Sequence, residues 1–223
     1  DNEKGLIDQN PGILEPDILV GGPPCQGHSD LNNHSRREDP RNSLYFSMTR
    51  AARVLRPRSV IIENVQTVTS SKERVVQVSR EILESIGYKV DDVVLRAEEF
   101  GVPQLRRRHF LVASRGGMPD FSVLDEYRIS KHRTLRSALG GLGGIVEGDL
   151  FDSPANSFAR NRERMQWLID RDLYDLPNEE RPPCHQNGHN YPAVYGRMRW
   201  DRPAHTITAG FGSNGQGRFQ HPD

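Results

Sequence analysis

The sequence predicts an α/β chain with a mostly parallel sheet, followed by a smaller and largely irregular lobe. Three observations lead there. The runs Ile18-Leu19-Val20 and Ser59-Val60-Ile61-Ile62 are short and nearly all apolar, the pattern of strands covered on both faces. Stretches with helical spacing lie between and after them, so strand and helix alternate. Beyond Arg115-Gly116-Gly117 and Pro119 that alternation stops, and the composition changes. The boundary is therefore placed at 115/116, giving one domain over 1–115 and a second region over 116–223.

Residues 1–16 are polar, with Gly5, Pro11, Gly12 and Pro16, and read as loop. The first strand, Asp17-Ile18-Leu19-Val20, runs into Gly21-Gly22-Pro23-Pro24-Cys25-Gln26-Gly27-His28-Ser29. The glycines allow a sharp turn or a close approach, and the prolines remove two donors, so the strand must stop here. Cys25 is thus placed on a stiff loop past a strand end, where open α/β sheets gather ligands. Composition alone leaves both a structural and a reactive thiol open.

Asp30–Asn42 is almost wholly polar, either a solvated loop or a lid over a site. Asn42 or Ser43 can cap a helix over 43–56, with Leu44, Met48, Ala51, Ala52 and Leu55 on its spacing and Pro57 at its end. The strand at 59–62 carries Glu63-Asn64 at its carboxyl end, as a solvated end or as part of a site. Ser70 and Glu73 form a capping box before the stripe Val75, Val78, Ile82 and Ile86, which Gly87 ends. A strand through Tyr88–Leu95 follows. A turn at Glu98–Pro103 then leads into Gln104-Leu105-Arg106-Arg107-Arg108 and a strand over His109–Ala113. In an extended segment Arg107 points away from Arg106 and Arg108.

In the second region, short helices are predicted over 136–142 and over 161–168, the latter with Met165 and Leu168 on one side. Cys184-His185 and His189 lack a fourth ligand and the paired spacing of zinc sites, so no metal is assigned. From Tyr191 onward the chain is aromatic, basic and glycine-rich together. It is either a glycine-rich loop lobe or a surface for base edges and phosphates.

Lys and Arg number 30, as do Asp and Glu, so the net charge is zero; this does not exclude nucleic acid, because distribution matters more than the sum. Two cysteines make no disulfide framework and fit a reducing, cytoplasmic setting. No apolar stretch reaches membrane-spanning length and no signal peptide opens the chain, so it reads as soluble with no membrane partner.

Four blocks, in order, resemble the bacterial restriction-modification type cytosine-5 DNA methyltransferases. They are Gly22 through Ser29, Glu63-Asn64-Val65, the Gln-x-Arg-x-Arg block at 104–108, and Tyr195-Gly196-Arg197 through Trp200-Asp201 with Pro203–Thr208. The resemblance implies a Rossmann-like methyltransferase sheet and a target-recognition lobe. It implies methyl transfer from S-adenosyl-L-methionine to carbon 5 of a cytosine flipped out of double-stranded DNA.

By the same resemblance Cys25 is the nucleophile, Glu63 the contact to N3, and Arg108, beside Arg106, the contact to O2. Pro24, Leu44 and Asn64 match positions around the methyl donor. Ser29, Gln104 and Thr206 fall on the DNA side, as do Arg197, Arg199 and Arg218. Arg197 and Arg199 are expected to read guanine edges. His28 departs from the phenylalanine or tyrosine more usual there.

The family's glycine-rich donor loop and its closing helix have no counterpart here, so both ends read as cut. A complementary methyltransferase chain is therefore one expected partner, and a cognate restriction enzyme belongs to the same system. Two rival readings remain: a DNA-binding subunit of a split enzyme, and the relative that methylates transfer RNA.

Overall fold

The structure, a computed structural model, describes residues 2–24, 40–141, 157–186, 194–208 and 214–223. The chain divides into two compact units, residues 1–95 with 107–127, and residues 96–106 with 128–223.

The first unit opens with a helix, α1 (Asn2–Gln9), and a 3-10 turn at Pro11–Ile13, where the sequence reads as loop. Apart from Gly5 this segment contains ordinary helix formers, and the proline follows its end. Strand β1 (Ile18–Gly21) comes next. A 3-10 turn at Pro40–Tyr45 passes directly into helix α2 (Phe46–Leu55), whose N-cap position is Tyr45, two or three residues later than the sequence suggests. Arg56, left-handed at φ 53°, and Pro57 end it.

Strand β2 (Ser59–Val65) extends through Glu63 and Asn64. Helix α3 (Val75–Ser85) has Arg74, left-handed at φ 48°, at its N-cap position in place of the expected Ser70, and Ser71 Oγ accepts the Val75 N–H at 3.0 Å. The buried line of α3 is Val75, Ser79 and Leu83, with Val76 and Ile86 packed at its margin. Strands β3 (Lys89–Arg96), β4 (Gln104–Leu105) and β5 (Arg107–Ser114) follow.

The main sheet has the order β1-β2-β5-β3. β1 runs parallel to β2, with Gly21 opposite Ile62, but β2 and β5 are antiparallel, with Glu63 opposite Phe110 and Val65 opposite Arg108. The mostly parallel sheet expected from strand–helix alternation is therefore a mixed one. The reason lies in the link from β3 to β5, which holds only a 3-10 turn and the two-residue β4. A parallel return needs a crossover of a dozen or more residues, usually a helix. Val60, Ile62, Leu111 and Ala113 from the sheet meet Val75 and Leu83 of α3 and Tyr45 and Ala52 beside them, making one apolar core. At the sheet edge, Ile18 and Val20 of β1 stay 57% and 66% exposed, unlike the buried strand their composition suggests.

A polar cluster is built into this unit. His109, fully buried on β5, contacts Asp92 through Nε2 at 2.9 Å, and the Arg80 guanidinium bonds the other Asp92 oxygen. Burial alone would raise the Asp92 carboxyl, but hydrogen bonds from His109 and Arg80 hold it below the usual carboxylate range. A depressed folded-state pKa adds stability above the unfolded value, about 4, that is lost as pH falls through the folded value. Asp92→Asn is therefore expected to cost on the order of 2–4 kcal/mol at pH 7. In thermal melts the gap between variant and parent should close progressively below about pH 4.

The second unit contains β4, a short helix α4 (Leu135–Leu139), helix α5 (Ala159–Asp170) and strand β6 (Ala204–His205), which pairs parallel with β4. Residues 97–106 belong here, not with the strands on either side. Ile129 N–H bonds Glu99 O at 2.8 Å and Ala204 N–H bonds Pro103 O at 2.9 Å, tying the segment to later residues. The two compact units thus divide at 127/128, with residues 96–106 joined to the later ones, whereas the composition of the chain changes at 115/116. Two small cores hold the unit: Leu168, Leu176, Val194 and Tyr195, and Leu135, Met198 and Ala204.

Candidate active site

Parallel pairing carries β1 and β2 to the same edge of the sheet, where Gly22-Pro23-Pro24 leaves β1 beside Glu63. A Cβ placed on Gly22 would lie 3.3 Å from Glu63 Oε2, so glycine lets the loop pass close to the carboxylate. Cys25 and Ser29 lie outside the described residues, and Pro24 is the last described residue before them.

Glu63 is held from across the sheet. The antiparallel register sets Arg108 one diagonal step from it on the same face, and Arg108 Nε reaches Glu63 Oε1 at 2.7 Å. One Arg108 Nη also donates to the Arg107 carbonyl at 2.8 Å, which fixes the guanidinium plane. The side chains are 36% and 21% exposed, so the pair is accessible yet partly shielded. Arg107, next in the strand, is exposed, as the alternation of an extended segment requires.

Asn64 is 2% exposed and both ends of its amide are used. Nδ2 donates to Pro23 O at 3.2 Å, and Oδ1 accepts from Val65 N–H at 2.8 Å. Its geometry suits holding the proline loop against β2 rather than touching a donor molecule. Leu44, 40% exposed, and Pro24, also exposed, present the free apolar surface.

Arg106 sits between β4 and β5 in the second unit. Its N–H donates to Glu98 Oε2 at 3.3 Å and its carbonyl accepts from Ala97 at 2.8 Å. Gln104 is a strand residue opposite Ala204. The Thr206 hydroxyl donates to Leu105 O at 2.7 Å.

The arginines proposed to face DNA separate into two kinds. Arg197 is 5% exposed, donating to Leu168 O at 3.1 Å and to Asp172 at 2.8 Å, with its guanidinium over the Tyr174 ring. Arg218 is similarly committed, to Tyr174 O at 2.6 Å, Arg197 O at 3.1 Å and Asp175. Both build the lobe and neither is free to read a base edge. Arg199 stays half-buried, stacked 3.7 Å from the Tyr174 ring centre. Sequence reading missed Tyr174, Asp172 and Asp175, which lie in a proline-punctuated stretch with no periodic signal.

Arg197→Met should accordingly act on stability. Loss of its charged hydrogen bonds is expected to cost roughly 2–4 kcal/mol in a denaturant titration, with base preference unchanged in protein that remains folded.

The chain belongs to the C-5 cytosine-specific DNA methylase family, whose sequence model matches residues 2–201. It is 44% identical over 210 residues to Type II methyltransferase M1.BsuMI of Bacillus subtilis (strain 168), covering 94% of this chain and 49% of that protein. Type II methylase M.HgiDII of Herpetosiphon aurantiacus is 33% identical over 215 residues, 92% of this chain and 60% of its own. Among solved structures, S. pombe Dnmt2 methyltransferase superposes with a TM-score of 0.49 at 18% identity, over 91% of this chain and 55% of that one. The chain thus spans about half to three-fifths of the length of these two curated relatives. Methylases of this family take their methyl group from S-adenosyl-L-methionine. No described helix is long and apolar enough to cross a membrane.

Proposed function

We propose that the protein methylates carbon 5 of a cytosine within a specific double-stranded DNA sequence, after rotating the base out of the duplex. Carbon 5 is a weak nucleophile, and addition of the Cys25 thiolate to carbon 6 enriches it. Addition drives negative charge onto the ring, toward N3 and O2. Glu63, sharing a proton with N3, and Arg108, facing O2, meet that charge where it develops. Arg106 and Arg108 supply the positive surroundings that favour the thiolate. S-adenosyl-L-methionine supplies an electrophilic methyl group; Pro24, on the loop that Asn64 holds, and Leu44, in the 3-10 turn before α2, are the residues proposed to hold it. Solvent water then takes the carbon-5 proton, and the electron pair it leaves rebuilds the carbon 5–carbon 6 double bond as the Cys25 thiolate departs.

The observation that carries this reading is the 2.7 Å Glu63–Arg108 pair beside the loop that leads to Cys25. The direct test is methyl transfer from labelled donor to duplex DNA, with modified bases mapped by sequencing. The label should appear as 5-methylcytosine in one sequence context. Label on an exocyclic nitrogen, or on transfer RNA alone, would contradict the proposal.

A second reading, a split enzyme completed by a complementary chain, draws support from the exposed Ile18 and Val20 on the β1 edge. Such surface suits cover by further polypeptide. In either case the proposal is a bacterial, cytoplasmic modification enzyme with a cognate restriction enzyme in its system, and the Type II names of the relatives support the modification role.

A further inference from the structure

We infer that a cavity in the second unit, with Arg199, Arg202 and His205 on its wall, is a phosphodiester-binding site that grips the DNA backbone without regard to base sequence. The inference rests on the DNA-methylase reading above. The cavity encloses about 160 Å³.

Its walls are fixed. Leu135 N–H bonds Arg202 O at 2.9 Å, and the pairing of β6 with β4 holds Ala204 and His205. Arg199 has its guanidinium carbon 3.7 Å from the Tyr174 ring centre, a cation–π contact that holds the group without occupying its N–H donors. Among the described residues Arg202 pairs with Asp201 alone, at 3.5 Å, both more than half exposed, a contact worth little and readily exchanged for a phosphate. Arg218 adds charge, but its donors serve Tyr174, Arg197 and Asp175.

Among the lining residues Asp175 is the one carboxylate, set against three guanidinium groups. His205 reports the resulting field. Burial, and then the Arg218 charge, hold its imidazole below the ordinary histidine range, with Arg202 acting the same way and Asp175 opposing. A base edge is neutral and would leave this charge unmatched. A phosphodiester matches it and accepts the forked contact that arginine offers.

The test is the salt dependence of DNA binding, measured by fluorescence anisotropy with the cognate duplex and a scrambled one. Parent, Arg199→Gln and Arg202→Gln are compared, with Arg58→Gln removing an equal charge in the other unit. Each lost phosphate contact should lower the slope of log K against log salt by ~0.9, equally on both duplexes. Affinity at low salt should fall by roughly 3–10-fold, and Arg58→Gln should keep the parent slope. Arg202 is exposed enough that its variant folds even if loss of the Tyr174 stack unsettles the other. Parent slopes in both variants would overturn the inference. So would a loss confined to the cognate duplex at unchanged slope, which marks base readout. If the parent binds neither duplex, the DNA-methylase reading falls and takes the cavity with it. Parent binding with unaltered variant slopes sinks the cavity alone.

Discussion

Cys25→Ala is expected to abolish methyl transfer, a loss on the order of 10⁴-fold or more in kcat, while DNA affinity stays near that of the parent. Addition of a thiolate to carbon 6 is what makes carbon 5 reactive, so removing the Cys25 thiol removes the activating step. The proline loop leaves β1 at the edge where β2 presents Glu63, the residue proposed as the proton partner. A gel-shift titration run beside a methyl-transfer assay separates the two effects. Turnover of Cys25→Ala near the parent rate would remove the nucleophile assignment.

Glu63→Gln should lower kcat by about 10²–10⁴-fold, because an amide cannot share the proton that N3 needs as charge builds on the ring. Arg108→Gln should cost about 10²–10³-fold, the usual loss for one donor aimed at developing charge. The two side chains are bonded at 2.7 Å, so they act as a unit. The double variant should then be little worse than Glu63→Gln alone, a clear departure from additivity in a double-mutant cycle. Additive losses would mean that Arg108 works independently of Glu63. A fall in melting temperature with kcat preserved at low temperature would make the pair merely structural.

Much of the first unit could be read from the chain because its signals are local. The apolar runs around Leu19, Val60 and Leu111 mark strands, and Gln-x-Arg-x-Arg marks the arginine that meets Glu63. The strand direction of β5 could not be read the same way, since it depends on what links β5 to β3 rather than on the composition of either. Arg197 shows the limit most clearly. In the sequence it stands among aromatic and basic residues that suit DNA, yet it is buried against Leu168 and Asp172, partners set by the folding of a lobe without periodic pattern. The Asp92–His109–Arg80 cluster was hidden for the same reason, because its members come from two strands and a helix that only tertiary packing unites.

Covalent trapping on a modified duplex decides whether Cys25 is the nucleophile. The protein is incubated with S-adenosyl-L-methionine and a duplex carrying 5-fluorocytosine at the target position, which blocks loss of the carbon-5 substituent and so preserves the adduct. The account predicts a denaturation-resistant protein–DNA species whose peptide map places the bond at Cys25, absent from Cys25→Ala. Methyl transfer to unsubstituted DNA by the same preparation without any such adduct, or an adduct at Cys184, would contradict it.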